Sequence, residues 1–210
     1  MNIIYLLFHG LSPYSGISKK ILHQVKGFEA CGHRVSLCTY SIADNGHRAR
    51  MINDEIIEDY GTGKPAAAKR RVSYQCIYRY AITHQVELIY VRSFHNANPF
   101  TIRLFSKLRK AGIKIAMEIP TYPYDSEYAG FPLVTRLGIQ VDKVFRKTLA
   151  KHVNAIVTFS DYHCIFGQRT IQISNGVDFD SIPLKKTVSK NTSVIHLLGV
   201  AEVHYWHGYD

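Results

Sequence analysis

Short unbroken runs of apolar residues, bounded by turn-forming residues, alternate along this chain with longer stretches whose apolar positions recur every three or four residues. The first pattern is that of strands covered on both faces, the second that of helices with one face inward. Strands are expected at residues 3–8, 34–40, 87–91, 114–118, 155–159 and 170–174, with a weaker one at 52–57. Between the first two, Ile17, Ile21, Val25 and Phe28 fall on one helical face, and Gly32 follows as a stop. A second helix opens on Asn98-Pro99, a cap followed by the residue best tolerated at the first helical position. It turns Phe100, Leu104, Leu108 and Ala111 inward and ends at Gly112. A third, over about residues 133–152, is amphipathic and basic on its outer face. The alternation predicts an α/β fold: a Rossmann-like parallel β-sheet with helices on both faces, linked by right-handed crossovers.

The pattern breaks once. Residues 183–193, PLKKTVSKNTS, are polar and without apolar period and read as a linker. A fresh apolar strand starts at Val194, so the expected organisation is one Rossmann-like domain over 1–182, the linker, and at 194–210 the start of a second domain that stops incomplete.

Composition narrows the class. Lys and Arg number 26 against 16 Asp and Glu, a net charge of +10, so an anionic partner is expected. The basic residues are neither gathered on one predicted helix nor interleaved with exposed aromatics, which argues against nucleic acid. Cys31, Cys38, Cys76 and Cys164 form no CxxC pair and read as buried thiols of a reducing, cytoplasmic compartment. The apolar start, residues 1–8, lacks a basic leader and reads as a strand. No run reaches the roughly 18 apolar residues of a membrane span, so any membrane contact is expected to be peripheral, on the inner face of the cytoplasmic membrane.

Ligands of open α/β sheets bind outside the carboxyl ends of the strands, so the residues just after each strand carry the candidate chemistry. After the first strand come His9-Gly10-Leu11-Ser12-Pro13-Tyr14-Ser15-Gly16, small residues leading into a helix N-terminus. Such a turn either presents backbone amides to an anion or is a bare tight turn. It is neither GxGxxG nor GxxxxGK[ST], which argues against a dinucleotide-binding oxidoreductase and a P-loop enzyme. After later strands come Arg92-Ser93-Phe94-His95-Asn96, then Glu118 through Tyr122 to Asp125, then Ser160-Asp161-Tyr162-His163. Rings, carboxylates and hydroxyls on one rim suit a polyol such as a sugar; equally, loops are polar for solubility alone. The 11 histidines show no metal-binding spacing, and no GxSxG elbow is present.

The segment from Ala155 to Ser160, followed by Ile171-Gln172-Ile173-Ser174-Asn175-Gly176-Val177-Asp178, resembles the retaining group 1 glycosyltransferases of the GT-B fold, the glycogen-synthase-like family. There, a strand ending in Ser precedes one ending in Pro-Asn-Gly-Val-Asp near the interdomain linker; Ser174 stands here in place of the proline. Ser15-Gly16 is similar to the family's Gly-Gly loop, Phe28 to Val35 to its helix end with Gly-His-Glu-Val, and Gly199 to Asp210 to the opening of its second domain. The resemblance implies transfer of a hexosyl group from a nucleoside-diphosphate sugar to an acceptor hydroxyl with retention, without metal or other cofactor, commonly in bacterial surface polysaccharide synthesis.

It also implies roles. Ser15 and Gly16 would face the donor diphosphate, and Asn175, Gly176 and Asp178 would form the interdomain hinge. Tyr14, Arg92, Ser93, Tyr122 and Ser160 are acceptor-side candidates; Glu118, Asp125 and His9 are the catalytic candidates, none assigned by motif. The acceptor would be a glycan or a lipid-linked species. Because the family's donor site lies mostly in the second domain, the 210 residues alone are expected to be inactive and to self-associate through the exposed interdomain face. The alternative reading is a non-catalytic sugar- or nucleotide-binding module, or one subunit of a split transferase.

Overall fold

The computed structural model describes residues 1–92, 96–125, 132–176, 178 and 182–183. Two compact units divide the chain, Met1–Gly176 and Val177–Asp210, and every element below belongs to the first. Apart from Pro183, the expected linker and the strand after it lie outside the described residues.

The order is β1 (Asn2–Leu6), α1 (Gly16–Ala30), β2 (Arg34–Ile42), β3 (Arg48–Ile52), β4 (Glu55–Gly61), α2 (Gly63–Val72), α3 (Gln75–Thr83), β5 (Leu88–Arg92), α4 (Pro99–Lys110), β6 (Lys114–Ile119), α5 (Leu133–Ala150), β7 (Ala155–Thr158), β8 (Cys164–Ile165) and β9 (Gln168–Gln172). The strands form one sheet ordered β4-β3-β2-β1-β5-β6-β7-β9-β8. Neighbours from β2 through β9 pair in parallel; β3, β4 and β8 are antiparallel additions at the two edges. This is the expected α/β, Rossmann-like sheet. From β1 the chain winds outward through β2, then returns to the far side of β1 for β5. The order reverses there, so a crevice opens beyond the carboxyl ends of β1 and β5.

Both faces are covered, which is why the central strands tolerate continuous apolar runs. On one face Ile3, Tyr5 and Leu7 of the first strand region pack with Tyr90, Val157 and Ile21 of α1. On the other, Ile4, Leu6, Ile89, Val91, Ile115 and Met117 pack against Ile77, Leu104, Phe105, Leu108 and Leu149 from the helices. Helix ends follow the local chemistry. Ser15 caps α1, and Gly32 terminates it with φ 79°, a left-handed conformation open to glycine. Asn98 and Thr101 form a reciprocal capping box at α4, with Pro99 at the first helical position.

The edge beyond β2 departs from expectation. The single strand foreseen at 52–57 is two strands, because Asn53 and Asp54 adopt φ 47° and 69° and make a two-residue hairpin turn between β3 and β4. Asn53 also ties the turn to β2: its Oδ1 accepts from Leu37 N at 2.9 Å. Arg50 fastens this hairpin to the sheet centre. It is 1% exposed, donates from Nη1 to the Leu7 carbonyl at 2.7 Å, and lies 5.9 Å from the ring centroids of both Phe8 and Tyr40. Helices α2 and α3, between this hairpin and β5, were not foreseen; α2 buries only Ala66, too little to give a periodic signal.

Two further expectations are corrected. Cys38 and Cys76 are buried, but Cys31 at the end of α1 and Cys164 at the β8 edge are exposed, since each sits where an element stops covering its neighbour. The outer face of α5 is not simply basic: Leu133, Val134, Leu137, Val141 and Val144 all stand exposed on it.

Replacing the α4 cap, Asn98→Ala, removes acceptors for the Phe100 and Thr101 amides and is expected to lower stability by about 1 kcal/mol in urea denaturation. An unchanged midpoint would mean the box contributes nothing. Burial pushes the Cys38 thiol up to about 11; burial and the neighbouring Glu58 carboxylate push Cys76 up to about 12. Thiol titration of the native protein at about pH 8 is therefore expected to label Cys31 and Cys164 only, with the other pair reacting after denaturation.

Candidate functional site

Helix α1 lies over the crevice at the carboxyl ends of β1 and β5, and the polar side chains under it form one network. On this face of the sheet Arg92 and Glu118 are register partners of adjacent strands, and both are buried. Arg92 Nη1 donates to Glu118 Oε1 in a short contact. Glu118 Oε2 accepts from the Tyr90 hydroxyl at 2.7 Å and from Gln24 Nε2 at 2.9 Å, while Gln24 Oε1 accepts from the Tyr5 hydroxyl at 2.6 Å. Burial, reinforced by the Glu118 charge, holds both tyrosine hydroxyls well above the ordinary phenol range, so they stay protonated and can donate to Glu118 and Gln24. Glu118, foreseen as a catalytic candidate, is fully buried with both oxygens engaged. It holds Arg92 at the end of β5 and is not open to a ligand from solvent.

One step toward solvent stands Lys20 of α1. Its Nζ donates to Asn175 Oδ1 at 2.8 Å and lies 3.5 Å from the centroid of the Phe159 ring. Partial burial is the main cause that lowers its pKa; the Glu118 charge opposes this and the Arg92 charge adds to it. The bond joins the helix that follows the Ser15-Gly16 turn to the Asn-Gly motif 155 residues later. Neither Lys20 nor Gln24 was foreseen, because each follows no motif and reads in sequence as a solvated helix position.

The turn itself is well ordered by its serines. Ser12 N donates to Ser18 Oγ at 2.9 Å, and Ser15 Oγ accepts from Ser18 N at 3.4 Å. Gly10 is pressed against β2, where a Cβ would meet the Tyr40 carbonyl at 2.7 Å. Around Gly16 the space is open, with no atom within 4 Å of where a Cβ would be. The first turn of α1 has no acidic residue, so its amides and Lys20 together make a positive corner. Tyr14 projects from the turn, 94% exposed. His9 is half-buried and turned onto its own loop, with Nδ1 2.7 Å from the Gly10 carbonyl.

The remaining candidates divide. Ser160 stays near Lys20, following Phe159, with its Oγ 2.9 Å from Thr158 Oγ1. Gly176 is exposed beside Asn175; Asp178 belongs to the other unit, and Ser93 lies outside the described residues. Tyr122 and Asp125 go to the opposite face of the sheet. Tyr122 packs edge-on against Tyr162 at 4.9 Å and Phe166 at 5.5 Å. Asp125 accepts two bonds from Arg146 at 2.7 and 3.1 Å and lies 3.6 Å from Lys143 Nζ. The hydrogen bonds from Arg146 hold the Asp125 carboxyl below its usual range, and its place is to fasten α5 to the loop after β6.

An open groove of about 490 Å³ runs between α1 and the edge strands, lined by Leu11, Val25, Glu29, Leu37 and Asp54 among others. Its charged residues are acids, so it does not suit a phosphate. Among the described residues no His, Cys, Asp and Glu group could hold a metal ion, and no helix is long and apolar enough to cross a membrane. No family model matches the chain, and comparison with curated proteins and with solved structures returned no match.

Glu118→Ala would leave Arg92 buried without its counter-charge and is expected to cost about 3–5 kcal/mol in urea denaturation. The double replacement Arg92→Met with Glu118→Leu should recover most of that loss. Equal destabilisation by the single and double variants would show that the pair does not act as a unit.

Proposed function

We propose that residues 1–176 form the acceptor-side domain of a retaining glycosyltransferase, which moves a sugar from a nucleoside-diphosphate donor to an acceptor hydroxyl. The observation that carries this reading is the Lys20–Asn175 bond. It ties the helix that follows the Ser15-Gly16 turn, which resembles the family's donor-facing loop, to Asn175 of the segment that resembles its hinge, 155 residues later.

The chemistry of the corner fits the assignment. Transfer leaves negative charge on the departing diphosphate, which fixed donors stabilise most where water is partly excluded. The N-terminus of α1, with Gly16 leaving room for close approach, and the half-buried Lys20 supply such donors. Arg92 backs them from beneath, held by Glu118. Tyr14 and Ser160 stand on the adjoining rim, where ring face and hydroxyl suit a sugar acceptor. Asp125 takes no part, because its carboxylate is committed to Arg146 and Lys143.

The reading is tested by incubating the chain, alone and extended by whatever sequence follows Asp210 in its gene, with labelled UDP- and GDP-hexoses and membrane-extracted glycan acceptors. Labelled product from the extended protein, cut at least tenfold by Lys20→Gln while the fold persists, is the expected outcome. Absence of transfer with every donor, or transfer indifferent to Lys20, would overturn it.

A further inference from the structure

The outward side of α5 carries a surface that the corner at α1 does not use. Around the helix, Leu133, Leu137, Val141 and Val144 recur at spacings of four, four and three and form one stripe with Val134 beside it. These side chains are 68%, 57%, 44%, 71% and, for Val134, 68% exposed. The opposite side is fully employed: Ile139, Leu149 and Ala150 enter the core, and buried Asp142 accepts from the Ala97 amide at 2.9 Å and the Tyr124 hydroxyl at 3.0 Å. The exposed stripe is thus a second apolar face on a helix already docked by its first.

Charge identifies what it fits. Arg136 and Lys147 flank the stripe along one edge, and Lys151 stands at the helix end. The neighbouring α4 carries Arg103, Lys107, Arg109 and Lys110, of which Lys107 turns to Gln75 of α3. Together the two helices hold eight Lys and Arg residues and one acid, the inward-facing Asp142. Of the cations on α5, Lys143 and Arg146 are occupied by Asp125; no acid outside the helix pairs with the others among the described residues. An aliphatic stripe bordered by cations matches a phospholipid surface, where the stripe enters the acyl boundary and the cations meet anionic headgroups. Nucleic acid would leave the Leu and Val side chains without bases to stack on, since aliphatic groups offer no ring.

We propose that α5, at about 27 Å long, lies flat on an anionic bilayer, with Leu133, Leu137, Val141 and Val144 inserted and Arg136, Lys147 and Lys151 on the headgroups. The surface stands on its own geometry and not on the transferase reading, so either can fail without the other.

Flotation of the chain with vesicles of phosphatidylcholine, with and without about 30 mol% phosphatidylglycerol, tests this directly. Binding is expected on the anionic vesicles only and should fall steeply with added salt. Leu137→Glu with Val144→Glu should weaken it about tenfold or more, and Arg136→Gln with Lys147→Gln about fivefold for each cation removed. All four sites are outside the core, and circular dichroism and thermal midpoints verify that the variants stay folded. Absence of binding, or binding equal for wild type and the apolar variant, overturns the proposal. So does a wild-type dimer that Leu137→Glu with Val144→Glu converts to monomer without vesicle binding, since the stripe would then belong to a second copy.

Discussion

Burying a guanidinium and a carboxylate side by side is the constraint around which this domain is arranged. Arg92 and Glu118 sit opposite each other on β5 and β6, beneath α1, with almost no access to water. Desolvating both charges costs more than their attraction returns unless the remaining hydrogen-bonding capacity is also met. That requirement recruits Tyr90 from β5, and Gln24 and Tyr5 from α1 and β1, so the register of three strands and the seat of one helix are tied to a single pair. The seat of α1 then sets where its N-terminus, the Ser15-Gly16 turn and Lys20 stand relative to Asn175.

The same sheet uses charge differently at its other corners. Asp125 and Arg146 pair in two well-aligned bonds at a partly exposed site, where the interaction positions α5 and contributes little to stability. Among the described residues Arg50 makes no ion pair; its charge is accommodated by the Leu7 carbonyl and the rings of Phe8 and Tyr40. A cation so placed joins the antiparallel hairpin to Leu7, just after β1, and hence to the loop from which the α1 corner is built. The rim is thereby split. One corner gathers amides, Lys20 and Arg92 around α1, while the aromatic cluster of Tyr122, Tyr162 and Phe166 consolidates the opposite face. The first has open space beside Gly16.

Net positive charge by itself says little about location, because screened surface charges act over about 10 Å or less. Its concentration on α4 and α5 is a different matter. Two neighbouring helices carry eight Lys and Arg residues and one inward-facing acid, and the exposed aliphatic stripe of α5 lies beside Arg136 and Lys147.

Read as sequence, the chain already determined the α/β class, the six central strands, and helices α1, α4 and α5, because apolar period and caps are local properties that need no partner. The hairpin at Asn53-Asp54 escaped because a turn inside an apolar run is signalled by two residues only, and α2 because it buries almost nothing. Burial by distant elements was beyond the sequence altogether. Glu118 and Asp125 are carboxylates at the end of β6 and just beyond it, yet one is sealed under α1 and the other bound to α5. Lys20 and Val144 are both ordinary helix positions, yet one meets Asn175 and the other faces solvent. Those differences come from which surfaces the packed sheet and helices bring together, and so only the tertiary structure decided them.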